Sequence, residues 1–140
     1  MVSKAFIDSS AWISYFVPTQ PDYLAFKKLF YQLASDHTKL STSNDVLHET
    51  ITRLRYDQGW DVTKKFISHI QESISAKSVT QYWTNEQIQF GAYTILSKYS
   101  DHKLSLTDAT SAVLMTKLNI KTILTLDSTH FFALGFRVLP

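Results

Sequence analysis

The chain contains no cysteine, and only three glycines and three prolines among its 140 residues. The lack of cysteine excludes disulfide bonds, thiolate metal sites and cysteine nucleophiles. The glycines stand alone at positions 59, 91 and 135, so there is no Gly-rich phosphate-binding loop of a dinucleotide enzyme. No apolar run has the length of a signal peptide or a membrane-spanning helix, and we therefore expect a cytoplasmic protein that binds no membrane.

What the chain does contain is typical of a globular protein. Hydrophobic residues make up 44% of it and aromatic residues 14%, which predicts one domain over residues 1–140 with a core of its own. The net charge of +2 is compatible with a polyanionic substrate but does not establish one. The sequence at His48 reads HETIT rather than HExxH, which excludes a zinc protease of that type.

The hydrophobic pattern predicts strands that alternate with helices. Alternation of this kind indicates an α/β fold with a mostly parallel sheet. Capping boxes are predicted to begin at Thr42, Thr84 and Ser105. The predicted strands cover residues 4–7, 38–42, 78–81, 122–126 and 136–139, and the predicted helices cover about 9–17, 21–35, 42–58, 61–73, 84–99, 105–118 and 128–134.

Four acids, Asp8, Glu49, Asp108 and Asp127, follow or open these predicted elements. Each has an ordinary explanation by itself. Asp8 and Asp127 suit helix N-caps, worth about 1 kcal/mol each, Asp108 completes a capping box, and Glu49 can pair with Arg53 one helical turn later. Parallel sheets, however, bind ligands outside the carboxyl ends of their strands, and we expect the acids to meet there.

Carboxylates brought together at one sheet edge would repel each other. Two unit charges about 4 Å apart repel by about 4 kcal/mol at an effective dielectric constant of 20, more than a helix cap contributes. A divalent cation would offset this repulsion, and Mg²⁺ or Mn²⁺ suits a site made of oxygen ligands. Such a cation can activate water and stabilise charge on a phosphoryl group. The pattern therefore predicts a metal-dependent phosphodiester hydrolase.

Several assignments stay open at this point. Asp45 lies one turn before Glu49 and could take its role, and Ser10 could bind a metal-bound water or a phosphate, or only cap the first helix. Basic and aromatic residues lie on the predicted helical hairpin at about 42–73, where they could contact RNA or form a solvated face with its aromatic residues buried in a core or dimer contact. These residues are Arg53, Arg55, Tyr56, Trp60, Lys64 and Lys65.

Three stretches, FIDSSAWISYF, STSNDVLHETI and LSLTDATSAVLMTKLNIKTILTLDSTHFFALGFRVLP, resemble the PIN domain, and more narrowly the VapC-type toxin ribonucleases. The resemblance implies a three-layer α/β/α fold. It also implies that Asp8, Glu49, Asp108 and Asp127 bind one or two Mg²⁺ or Mn²⁺ ions and support hydrolysis of single-stranded RNA. Ser9 stands where threonine is common in the family, a change that keeps the hydroxyl.

The same resemblance extends to partners and to neighbouring residues. It implies a homodimer and, for a toxin, an antitoxin protein as partner. Asp101 resembles an acid that recurs in one subgroup and is interpreted as a loop residue or one outside direct contact with the metal, while His130 and Phe131 are interpreted as packing residues. The alternative function is a PIN-like module that binds RNA or a partner protein without cleaving.

Overall fold

A sheet of five parallel strands organises residues 3–140, the part of the chain that the computed structural model describes; Met1 and Val2 lie outside it. The strand order is β3-β2-β1-β4-β5, and every neighbouring pair is parallel, so the sheet is wholly rather than mostly parallel. The strands are β1 (Lys4–Ile7), β2 (Lys39–Ser43), β3 (Val79–Tyr82), β4 (Thr122–Leu124) and β5 (Arg137–Leu139).

Helices cover both faces of the sheet and give the expected three-layer α/β/α architecture. The described residues form seven helices, most of them within a few residues of the predicted bounds. They are α1 (Ser9–Phe16), α2 (Tyr23–Ser35), α3 (Asn44–Asp57), α4 (Trp60–Ser75), α5 (Glu86–Lys98), α6 (Leu106–Lys117) and α7 (Ser128–Ala133).

The central strand β1 determines where a site can form. Its residues Phe6 and Ile7 are fully buried, as expected of a strand covered by helices on both faces. Phe6 pairs with Ser41 of β2 on one side and with Ile123 of β4 on the other. The chain builds the sheet outward from β1 to β2 and β3, then returns to β4 and β5 on the opposite side. The boundary between β1 and β4 is therefore a topological switch point, where parallel sheets bind ligands.

Capping follows the sequence at one predicted box and differs by one residue at the other two. Both hydrogen bonds of the Ser105 capping box are present. The caps of α3 and α5 are instead Ser43 and Asn85, whose side chains accept from the amides three residues on. The predicted boxes at Thr42 and Thr84 are wrong because the two hydroxyls have other partners: Thr42 donates to the carbonyl of Ile7, and Thr84 donates across to α3.

None of the helices between residues 3 and 140 combines the length and the apolar character that crossing a membrane requires.

Trp12 links three helices on one face of the sheet. Its indole lies edge-on to Phe30 of α2 and to Phe66 of α4, at centroid distances of 5.6 and 5.9 Å, and only 1% of Trp12 is exposed. Its Nε1 donates to the hydroxyl of Thr42, 3.2 Å away. This buried aromatic cluster fixes α1, and with it the residues that precede α1, against the sheet.

We expect Trp12→Ala to lower the free energy of unfolding by about 3–5 kcal/mol, because it removes the shared contact of three helices. Tyr31→Ala is the matched control, since Tyr31 lies on α2 but is 76% exposed; its effect should stay within about 0.5 kcal/mol. Urea unfolding of both variants measures this. Equal losses in the two variants would contradict the central role of Trp12.

Candidate functional site

Asp8 follows β1 at the switch point and is 4% exposed. It occupies the N-cap position of α1, yet its side chain makes no capping hydrogen bond to the described residues. The hydroxyl of Thr125, just beyond β4, instead donates to Asp8 Oδ2 at 2.7 Å. Asp8 is therefore not explained by helix capping, since its carboxylate points across the sheet edge toward β4.

Thr125 joins the two halves of this edge. Its Oγ1 also accepts from the amide of Asp127 at 3.0 Å and lies 3.2 Å from Ser10 Oγ. Ser10 Oγ in turn accepts from the amide of Leu126 at 2.9 Å. The contacts of Ser10 thus fasten the start of α1 to the loop after β4, which is a structural role.

Glu49 reaches the edge from α3. The hydroxyl of Ser9 donates to Glu49 Oε1 at 2.6 Å, which directs this carboxylate toward the start of α1. Arg53 Nη1 lies 4.0 Å from the same oxygen, the helix pair expected from the spacing. An exposed pair at this distance contributes little to stability. Ser9, rather than Arg53, is therefore the contact that positions Glu49.

Asp108 and Asp127 complete the group from α6 and α7. Asp108 Oδ2 accepts from the amide of Ser105 at 3.1 Å, within the capping box. Asp127 Oδ1 accepts from the amide of His130 at 3.4 Å, and its Oδ2 lies 2.9 Å from His130 Nδ1. Potential ligand atoms of Asp108, Asp127 and His130 lie within 4.8 Å of one another.

The charges of the predicted acids influence one another across this edge of the sheet. Burial raises the pKa of Asp8 to about 6, the Thr125 hydrogen bond opposes the rise, and the charges of Asp108 and Glu49 add to it. Burial also raises the pKa of Asp108, with the backbone hydrogen bond from Ser105 acting against it and the charges of Asp127 and Glu49 adding to it. The pKa values of Asp8 and Asp108 are therefore each raised by the charges of two other acids of the group.

The donor set fits a divalent cation. Asp108 and Asp127 supply hard oxygen ligands, which Mg²⁺ and Mn²⁺ prefer, and the imidazole of His130 adds a nitrogen. The raised pKa values of Asp8 and Asp108 mean that neighbouring protein groups do not fully compensate these charges. A bound cation would provide that compensation. The carboxylates of Asp8, Glu49, Asp108 and Asp127 would hold it.

Asp45 and Asp101 lie outside the group of four acids. Asp45 Oδ2 accepts from the hydroxyls of Thr84 and Thr110, both at 2.9 Å, and so ties α3 to the loop before α5 and to α6. The side chain of Asp101 is 84% exposed, with His102 at 4.0 Å. Neither acid is among the charges that raise the pKa of Asp8 or Asp108. Asp45 braces the helices that carry Glu49 and Asp108.

His130 is the site residue that the sequence interpretation missed. It was expected to pack, as its neighbour Phe131 does with full burial. Its ring instead contacts Asp127 and lies 5.8 Å from the ring of His102. The i, i+3 spacing from Asp127 at a helix start was the available signal, because residues at that spacing share one face of the first turn.

Comparison with known proteins shows the family of this chain. The chain matches the model of the PIN domain family over residues 5–136. Ribonuclease VapC26 of Mycobacterium tuberculosis is 30% identical over 146 residues, which cover 96% of this chain and 98% of that protein.

Solved structures show the same fold. The crystal structure of Mycobacterium tuberculosis VapC20, described as a toxin that cleaves the sarcin–ricin loop, superimposes with a TM-score of 0.82 at 25% identity, covering 94% of this chain and 95% of that one. VapBC-1 of nontypeable Haemophilus influenzae gives a TM-score of 0.68 at 16% identity, covering 97% and 96% of the two chains.

Asp8→Asn should stabilise the metal-free protein, and increasingly so as the pH rises. The pKa of Asp8 is about 6 in the folded protein and 3.8 for an ordinary aspartate, so the stability that protonated Asp8 contributes is fully present below pH 3.8 and is lost as the pH rises through 6. Since one pH unit between two pKa values corresponds to about 1.4 kcal/mol, the advantage of the variant approaches about 3 kcal/mol at neutral pH.

Chemical denaturation in chelator, at acidic and neutral pH, measures this advantage. Asp101→Asn is the control, because its exposed carboxylate should give no comparable pH-dependent gain. A pH-independent difference between Asp8→Asn and wild type would show that burial and the neighbouring acids do not raise the pKa of Asp8.

Proposed function

Because this chain belongs to the PIN domain family, we propose that it is a divalent-metal-dependent endoribonuclease that hydrolyses phosphodiester bonds of single-stranded RNA. We further propose that it acts as the toxin of a toxin–antitoxin pair. The observation that carries the proposal is the convergence of Asp8, Glu49, Asp108 and Asp127, at least two of them with raised pKa values, at the switch point of the sheet. The relationship to ribonuclease VapC26 supports it.

In this proposal the protein's own groups hold and orient the acids. Thr125 orients Asp8, Ser9 orients Glu49, and the Ser105 amide orients Asp108. The bound cation would supply Lewis-acid chemistry, activating water and offsetting charge on the phosphoryl oxygens. No cysteine is present to act as a nucleophile, so attack by water is the simplest reaction that these groups support.

A module that binds RNA or protein without cleaving is the competing function. Such a module gains nothing from carboxylates whose burial and mutual repulsion raise their pKa values. Carboxylates with raised pKa values are typical of sites where a ligand or a reaction offsets the unfavourable burial of charge. The retained acid group therefore favours catalysis over simple binding.

Asp108→Asn should lower kcat/KM for Mn²⁺-dependent cleavage of a single-stranded RNA pool by at least about 100-fold, the usual scale for removing one group that stabilises a transition state. The charge is lost while the capping bond to Ser105 can persist, so the fold should remain intact. The exposed Asp101→Asn variant is the matched control and should cleave as wild type does. Cleavage that survives Asp108→Asn, or that continues in chelator, would contradict the proposed chemistry.

A toxin also needs a surface for its antitoxin. A groove of about 1010 Å³ lies between α1, α2 and α4. Its floor is aromatic, with Tyr15 stacked on Phe30 at 4.1 Å. Its cationic lining residues are Lys27, Lys39 and Lys77, and no acid lines it within the described residues.

The groove reaches the amino-terminal end of β2 and runs along β3, and none of the four acids lines it. We propose that it binds an antitoxin segment with apolar anchors and negative charge.

The expected homodimer is a separate proposal. Tyr56 and Trp60, 84% and 51% exposed at the tip between α3 and α4, are aromatic side chains that a second protomer could cover.

Lys27→Glu combined with Lys77→Glu should weaken the binding of an acidic antitoxin segment by about tenfold or more, because negative charges would then face each other. RNA cleavage should be unchanged, since neither lysine is near the acids. Calorimetry with a synthetic antitoxin segment, beside the cleavage assay, tests both statements. Unchanged affinity, or cleavage lost together with affinity, would contradict the assignment of the groove.

A further inference from the structure

A second cavity opens directly beside the acid cluster. It has a volume of about 420 Å³ and is lined by Asp45, His48, Glu49, Thr52, Arg53 and Thr107. Glu49 belongs both to this cavity and to the acid cluster, and Thr107 immediately precedes Asp108. A polymer whose reacting bond lies at the acids would therefore extend into this cavity.

The chemistry of the lining suits a phosphate. Arg53 offers a guanidinium, His48 an imidazole, and Thr52 and Thr107 offer hydroxyl groups, all common phosphate contacts. The two acids in the lining are already engaged: Asp45 accepts two threonine hydroxyls, and Glu49 accepts from Ser9. These hydrogen bonds leave the carboxylates charged, so a phosphate would be held by the guanidinium of Arg53 and the hydroxyl donors, not by the net charge of the lining.

A surface ion pair does not account for Arg53. Its Nη1 lies 4.0 Å from Glu49, beyond hydrogen-bond distance, and 48% of its side chain is exposed. Glu49 already accepts the shorter bond from Ser9. The guanidinium therefore keeps its donors free, and it can turn toward the cavity without breaking a strong contact.

We propose that this cavity is a subsite for the RNA phosphate that neighbours the scissile one, with Arg53 as its principal ligand. The inference rests on the proposed ribonuclease function and adds to it a residue that positions the substrate. Arg53 would hold the strand by its backbone, independent of base identity, because a phosphate carries no sequence information. It would thereby place the next phosphodiester at the acids.

Arg55 provides a matched control on the same helix. Two residues along a helix differ by about 200° in direction, so Arg55 faces away from the cavity. Its guanidinium lies 5.5 Å from the centroid of the Trp60 ring instead. Arg53→Gln and Arg55→Gln therefore remove the same charge from two faces of α3.

The experiment measures the affinity of a fluorescein-labelled, mixed-sequence single-stranded RNA by anisotropy over a series of KCl concentrations. All proteins carry Asp108→Asn so that the probe is not cut. Arg53→Gln should weaken binding about tenfold, the loss expected for one charge-assisted hydrogen-bonded contact. It should also reduce the slope of log K against log salt by about 0.7, one phosphate contact on a single strand.

Arg55→Gln should leave both quantities near those of the Asp108→Asn parent. Arg53→Lys should keep the salt slope, since the charge remains, but recover only part of the affinity because lysine lacks the planar fork of donors. In the otherwise wild-type enzyme, Arg53→Gln should raise KM for RNA cleavage with little change in kcat, the behaviour of a group that binds substrate in the ground state.

If Arg53→Gln and Arg55→Gln change RNA affinity and its salt dependence equally, while the parent protein binds RNA, the subsite proposal is wrong and the ribonuclease proposal is unaffected. Calorimetric loss of Mn²⁺ affinity in Arg53→Gln with an unchanged RNA salt slope would overturn it too, because Arg53 would then act only through Glu49. Failure of the parent protein to bind single-stranded RNA would overturn the proposed function and the subsite together.

Discussion

The burial of carboxylates beside one another at the switch point of the sheet is the constraint on which the arrangement of this edge depends. Because β1 lies between β2 and β4, the residue that follows β1 is enclosed by loops from both halves of the sheet. Asp8 occupies that position with 4% of its surface exposed, and burial is the largest cause of its raised pKa. The rest of the edge is arranged around a charge that the protein itself leaves uncompensated.

The contacts that hold these acids orient them without neutralising them. Thr125 and Ser9 donate from hydroxyl groups, and Ser105 donates from its backbone amide. Neutral donors fix the direction of a carboxylate but leave most of its charge available, whereas a lysine or arginine in close contact would offset that charge. Orientation by neutral groups is the arrangement expected where the compensating charge is to come from a bound cation.

The sequence predicts the parts of this arrangement that depend on local pattern. Apolar runs that end near Asp8 and Asp127 indicate parallel strands, and parallel strands bring their ends together. The Ser105 capping box was predictable because one serine and one acid had the required spacing. The caps of α3 and α5 were each misplaced by one residue, since consecutive Thr, Ser and Asn residues can all cap a helix and tertiary contacts of the threonines decide among them.

Contacts that depend on the register between strands could not be predicted from the sequence. The bond from Thr125 to Asp8 joins residues far apart in the chain, and it requires β4 to lie beside β1 in one particular register. The approach of His130 to Asp127 depends on the turn that opens α7. A polar side chain in such a turn is compatible with packing, capping or ligand binding, and the local sequence does not distinguish among them.

Helix α3 shows how one face of one element can serve several purposes. Residues 45, 49 and 53 are spaced by four, so their side chains follow one another along a single face. Asp45 fixes the helix to α6 and to the loop before α5, Glu49 joins the acid group, and Arg53 lies over the neighbouring cavity. The hydrogen bonds of Asp45 at the first turn therefore set the position of both later side chains. A displacement of α3 would move the acid and the cationic contact together, which preserves their spacing relative to a bound strand.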